Sequence, residues 1–127
     1  ELVKFNFNVL KASSQYTNTH QIFISMIQNE AERFYTKCIE YGISINLRNK
    51  HLYKECGLRI GTQEISRYGW KDTEMQIIAE ILRDIRDSDH FSQDISNRIN
   101  DLSANKELCY TIAPDCYDIV HSLLHYS

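Results

Sequence analysis

Apolar and polar positions along this chain repeat with two periods, and each change of period marks an element. Val3, Phe5, Phe7 and Val9 alternate with Lys4, Asn6 and Asn8, which predicts a half-buried strand over Val3 to Leu10. A polar loop from Lys11 to Thr19 follows. Gln21 to Ile27 is rich in β-formers and too short for a helix, so it reads as a central strand and the spine of a sheet. The period then becomes helical. Asn29 and Glu32 have the spacing of a capping box, and Ala31, Phe34, Tyr35, Cys38 and Ile39 form one apolar stripe ending at Gly42.

Alternation returns at Ile43, Ile45 and Leu47, and again at Leu58, Ile60 and Thr62, where Arg59 must project to the face opposite Leu58 and Ile60. A polar connection, Asn49 to Glu55, separates the two strands. Asp72 and Thr73, with Gln76 beyond, predict the start of a long helix whose stripe is Met75, Ile78, Ile81, Leu82 and Ile85. Its other side carries Glu80, Arg83, Asp84 and Asp87, read as a solvated face. After a polar break at Asp87 to His90, Ile95, Ile99 and Leu102 mark a further helix, and Pro114 precedes a last one with Tyr117, Val120, Leu123 and Leu124. The expected fold is an α/β (α+β) two-layer sandwich, a small, mainly antiparallel sheet of three or four strands packed against helices. Residues 1–127 read as a single domain, with 110–127 as a helical C-terminal extension.

Composition narrows the partners. A chain of 127 residues with 43% hydrophobic and 24% charged positions can bury a core without disulfides. No apolar run is long enough to span a bilayer. A net charge of -3 and scattered Lys and Arg residues speak against nucleic acid. Cys38, Cys56, Cys109 and Cys116 form no CxxC pair, which fits a reduced, cytoplasmic setting. His121 and His125 stand four apart without further ligands near them, so no metal site is expected. The sequence opens on Glu1 with no signal peptide, and the expectation is a segment of a longer polypeptide.

The chemistry is concentrated in Gly57-Leu58-Arg59-Ile60-Gly61-Thr62-Gln63-Glu64-Ile65-Ser66-Arg67-Tyr68-Gly69-Trp70, which puts two arginines and three glycines into fourteen residues. Arginine offers a planar fork of donors that fits a carboxylate or phosphate, and glycines let backbone approach a ligand. Taken by itself, the same stretch also reads as turn chemistry with solvated charge.

Its wider context resembles the C-terminal small domain of serine hydroxymethyltransferase, a pyridoxal-phosphate enzyme of the aspartate-aminotransferase fold type. Asn18-Thr19-His20-Gln21-Ile22-Phe23-Ile24 stands where that family has a histidine and a hydrophobic strand. A helix and a short strand follow, then Gly57-Leu58-Arg59-Ile60-Gly61-Thr62, the turn Arg67-Tyr68-Gly69, and a long amphipathic helix. The likeness runs over roughly residues 4 to 110.

The resemblance implies that Arg59 binds the α-carboxylate of a serine or glycine substrate, with Arg67 and His20 as secondary candidates near the active site. It implies pyridoxal phosphate in the full-length parent and a homodimer whose active site lies at a subunit interface. The partner would be a large pyridoxal-phosphate domain of the same polypeptide. Thr19 replaces the family's usual asparagine and Gln63-Glu64 its usual Pro-Ala, so folate is left open. Lys4, Lys11 and Lys37 lack the Schiff-base environment and read as ordinary surface lysines. The isolated chain is therefore expected to hold no cofactor and to be non-catalytic. The alternatives are a domain of another pyridoxal-phosphate enzyme, of aldolase, transaldolase or aminotransferase type, or a stand-alone module without catalysis.

Overall fold

Residues 1–11, 20–48 and 56–104 are described by the computed structural model. Three strands, β1 (Gln21–Ser25), β2 (Asn46–Arg48) and β3 (Gly57–Gly61), form an antiparallel sheet in the order β1-β3-β2 among these residues. Helices α1 (Gln28–Glu40), α3 (Asp72–Asp87) and α4 (Gln93–Ala104) make the second layer, and a single turn and a half, α2 (Gln63–Arg67), follows β3. This is the two-layer α/β sandwich that the pattern predicts.

The middle strand is β3, not the 21–27 segment. Ile22 pairs with Ile60, Phe23 with Arg59 and Ile24 with Leu58, while Asn46 and Leu47 pair with Arg59 and Leu58 from the other side. One face of the sheet, with fully buried Ile24 and Leu58, meets Phe34 and Cys38 of α1 and Ile81, Leu82 and Ile85 of α3. Each fully buried Ile or Leu there is worth about 1.5–3 kcal/mol relative to exposure.

The predicted strand over Val3 to Leu10 is not formed. Leu2–Phe5 is a 3-10 turn that ends at Asn6 in the left-handed region (φ 61°). The aromatic rings explain the change. Phe7 turns into the core and stacks on Phe34 at 5.9 Å, and the guanidinium groups of Arg83 and Arg86 lie over Phe5 and Phe7 at 4.8 and 4.5 Å. Arg86 also donates to the Phe5 carbonyl at 3.0 Å. What remains of the strand is a bridge between Val9 and Ile24, with Leu10 N–H donating to the Phe23 carbonyl at 3.0 Å.

Helix starts differ from the sequence reading by a residue or two, which changes their caps. Because α1 begins at Gln28, Asn29 lies inside the first turn, and the Gln28 amide reaches Glu32 at 3.0 Å instead. Ala31, Phe34 and Cys38 are buried as expected, whereas Ile39 is 48% exposed. Gly42 lies just past the Tyr41 cap of this helix, and its φ of 73° suits a residue without Cβ. At α3 the Glu74 carboxylate accepts from Lys71 N–H at 2.8 Å, and Gln76 pairs with Glu80. The supposed solvated face of α3 is in part an interface. Arg98 of α4 binds Asp84 at 2.6 Å and Glu80 at 3.6 Å, and Arg83 joins Asp84 at 2.6 Å.

The expected strand around Ile43 to Leu47 begins only at Asn46; Ile45 is buried just ahead of it. The 12–19 loop, the 49–55 connection and the 110–127 extension lie outside the described residues, together with Cys109, Cys116, His121 and His125.

Candidate functional site

Alternation along β3 puts Gly57, Arg59 and Gly61 on the sheet face that contributes nothing to the core. Register then builds a row across three strands: Phe23 on β1, Arg59 in the middle and Asn46 on β2. Directly paired residues stand with Cβ atoms roughly 5 Å apart. Arg59 is thus flanked across the sheet by Phe23 and Asn46, with a glycine two residues away along the strand in both directions.

Arg59 is half-buried and is met by no hydrogen-bond or ion-pair partner among the described residues. Other arginines are spoken for. Arg33 is held by Asp89, Arg67 by Glu64, Arg83 and Arg98 by Asp84, and Arg86 by Asp87. A guanidinium partly withdrawn from water, with its donors unspent, is suited to a planar anion that takes two parallel hydrogen bonds.

His20 and Arg67 lie around the Gly61 end of β3. The carbonyl of His20 accepts from Thr62 N–H at 2.8 Å and from Thr62 Oγ1 at 3.1 Å, which fixes the exposed His20 beside the residue following Gly61. Arg67 closes α2, and its exposed side chain reaches back to Glu64 at 3.4 Å. Its donors are shared with a carboxylate of its own turn. The fold therefore sets His20 at the Gly61 end of β3, leaves Arg59 at the centre of the strand and ties Arg67 locally.

Lys37 is not an ordinary surface lysine. Its ammonium donates to the carbonyls of Arg86, at 3.1 Å, and Ser88, closing the C-terminal end of α3. Burial, and then the neighbouring Arg33 charge, hold its pKa below the usual lysine value. Helical spacing could not reveal this, because the partners are main-chain atoms about fifty positions away. Lys4 pairs with Glu1 at 2.6 Å.

A groove of about 300 Å³ between α1 and the end of α3 is lined by Met26, Arg33, Phe34, Lys37 and Arg86. Its cations are already engaged as described. Among the described residues no group of three or more His, Cys, Asp or Glu could hold a metal, and no helix is long and apolar enough to cross a membrane. Cys38 and Cys56 are buried free thiols.

No family model matches the chain. Serine hydroxymethyltransferase of Picrophilus torridus is 32% identical to it over 120 residues, covering 87% of this chain and 28% of that protein. The same enzyme of Saccharolobus islandicus is 32% identical over 91 residues, or 66% of this chain and 21% of the other. That of Staphylothermus marinus is 25% identical over 111 residues, or 82% and 25%. The chain spans about a quarter of the length of these relatives. Among solved structures, L-threonine transaldolase from Pseudomonas fluorescens shares the fold with a TM-score of 0.71 and 18% identity, over 95% of this chain and 30% of that one. Over most of its own length the chain is thus similar to one small part of the larger serine hydroxymethyltransferases, and it shares the fold of a part of the transaldolase.

Proposed function

We propose that the chain is the C-terminal small domain of a pyridoxal-phosphate-dependent, hydroxymethyltransferase-like enzyme acting on glycine and serine, in which Arg59 binds the substrate α-carboxylate. The observation that carries this reading is the half-buried Arg59 at the centre of the coreless sheet face, unpaired among the described residues and bordered by glycines. The cofactor would supply an electron sink for bonds at the amino-acid α-carbon. The lysine that carries it would come from a larger domain of the same polypeptide. The chain's own contribution is orientation. A two-pronged clamp on the carboxylate fixes the plane of the substrate and hence the bond to be broken, which a lysine ammonium would not do. A cytoplasmic, homodimeric parent in one-carbon metabolism completes the proposal.

The test uses the full-length polypeptide. Arg59→Ala removes two charge-assisted hydrogen bonds worth about 3 kcal/mol together, so the KM for serine should rise by roughly two orders of magnitude. Arg59→Lys should recover only part of the loss. An unchanged KM in Arg59→Ala would exclude the carboxylate role.

A second reading is favoured by Gln63-Glu64 and by the shared fold with a transaldolase. It keeps the clamp and replaces the one-carbon acceptor by an aldehyde. Product analysis with serine plus tetrahydrofolate, against a β-hydroxy amino acid plus an aldehyde, separates the two.

A further inference from the structure

The two glycines that flank Arg59 on the same face are glycines for different reasons. At Gly57 a Cβ would collide with the carbonyl oxygen of Ile24 and would stand 3.1 Å from Cε1 of Phe23. The fold itself forbids a side chain there, and the ring of Phe23 already occupies the space above. At Gly61 a Cβ would meet nothing within 4 Å among the described residues, and the backbone is ordinary extended strand without positive φ. Nothing in the packing, register or backbone of the described residues asks for glycine at this position. Extended backbone would ordinarily gain from a larger residue, because alanine restricts the unfolded chain and side chains suit a strand.

The surroundings of Arg59 are therefore lopsided. On the Gly57 side the Phe23 ring fills the space over the strand, and on the Gly61 side, where Gln21 stands across from the glycine, the described residues leave room for a Cβ. A carboxylate must lie alongside the guanidinium to take both hydrogen bonds, and the atoms attached to it need room next to the strand. The Gly61 side is the one that offers this room, and it is also the end where His20 is tied to Thr62.

We propose that Gly61 is a specificity-determining residue: its missing side chain keeps clear the ground beside Arg59 on which the carboxylate and α-carbon of a small amino acid rest. This rests on the carboxylate reading of Arg59. Bulk at this position limits the ligand, while Phe23 fixes the opposite limit from above Gly57.

The experiment compares Gly61→Ala, Gly61→Val, Gly57→Ala and Arg59→Ala in the full-length holoenzyme, with Tm, the calorimetric Kd for glycine and the KM and kcat for serine as readouts. Gly61→Ala should leave Tm unchanged or slightly raised and weaken glycine binding about tenfold, the scale of one methyl group in a tight pocket. Gly61→Val should weaken it further, with KM rising before kcat falls. Gly57→Ala should lower Tm. If Gly61→Ala binds glycine normally while Arg59→Ala does not, the specificity role is wrong and the carboxylate clamp stands. If Gly61→Ala lowers Tm as much as Gly57→Ala, the glycine serves folding and the proposal is overturned. If Arg59→Ala binds glycine normally, the clamp itself has failed and the role of Gly61 falls with it.

Discussion

At Gly57, a side chain directed at the Ile24 carbonyl forces either β1 or β3 to move, and the Phe23 ring leaves no slack. Gly57→Ala should cost about 2 kcal/mol or more of stability, read from urea denaturation, since overpacking a close backbone approach has that scale. Cys38 gives a second residue-level expectation. Burial pushes its thiol up to about 12, so almost none is thiolate near neutral pH. A thiol reagent at pH 8 should leave Cys38 unmodified in the native protein and label it once urea unfolds the chain; rapid native labelling would contradict the buried placement. The position of Arg59 was legible from sequence alone, because strand alternation fixes which face it takes. Its neighbours were not. Phe23 and Asn46 lie far from it in the chain, and only register, which no local pattern specifies, brings them beside it.

Among the elements, α1, α3 and α4 were readable because each carries a long apolar stripe of helical period. The first ten residues were misread for a physical reason. Their alternation is genuine, but two arginines of α3 reach over Phe5 and Phe7 and hold the segment as a turn. Arg86→Ala, which removes a ring contact and the bond to the Phe5 carbonyl, should destabilise the fold by about 1–2 kcal/mol. The α3–α4 contact gives a pH dependence. Partial burial of Asp84 opposes its charge, but hydrogen bonds from Arg98 and Arg83 outweigh this and hold its carboxyl below the ordinary value. Its folded pKa is thus lower than its unfolded one. The stabilisation is complete above the unfolded value, about 4, and is lost as pH falls through the lowered folded value. Asp84→Asn should cost about 1–2 kcal/mol at pH 7 and progressively less as pH falls below about 4, as measured by denaturant titration across that range.

For the whole molecule, one core joins sheet and helices, with Ile24, Leu58 and Ile85 fully or almost fully buried, so the described residues should unfold as a unit. Ile85→Ala should lower stability by about 2–5 kcal/mol in one cooperative transition. Purified by itself, the chain should take up no pyridoxal phosphate, checked by the absorbance of the protein after dialysis against the cofactor; a retained chromophore would point to a lysine site within these residues. The order β1-β3-β2 has a further effect, on how the chain is made. Among the described residues β1 and β2 share no bonds with each other, and both wait for β3, the last of the described strands to be synthesised. Until residue 61 has left the ribosome, β1 has only the Val9 bridge and β2 has no strand partner among the described residues. The nascent segment up to that point can form α1 early, because helix contacts are local, whereas pairing β1 with β3 must close a loop of about thirty residues. A pause in synthesis just before Gly57 would therefore leave an aggregation-prone strand edge exposed, and one just after Gly61 would not.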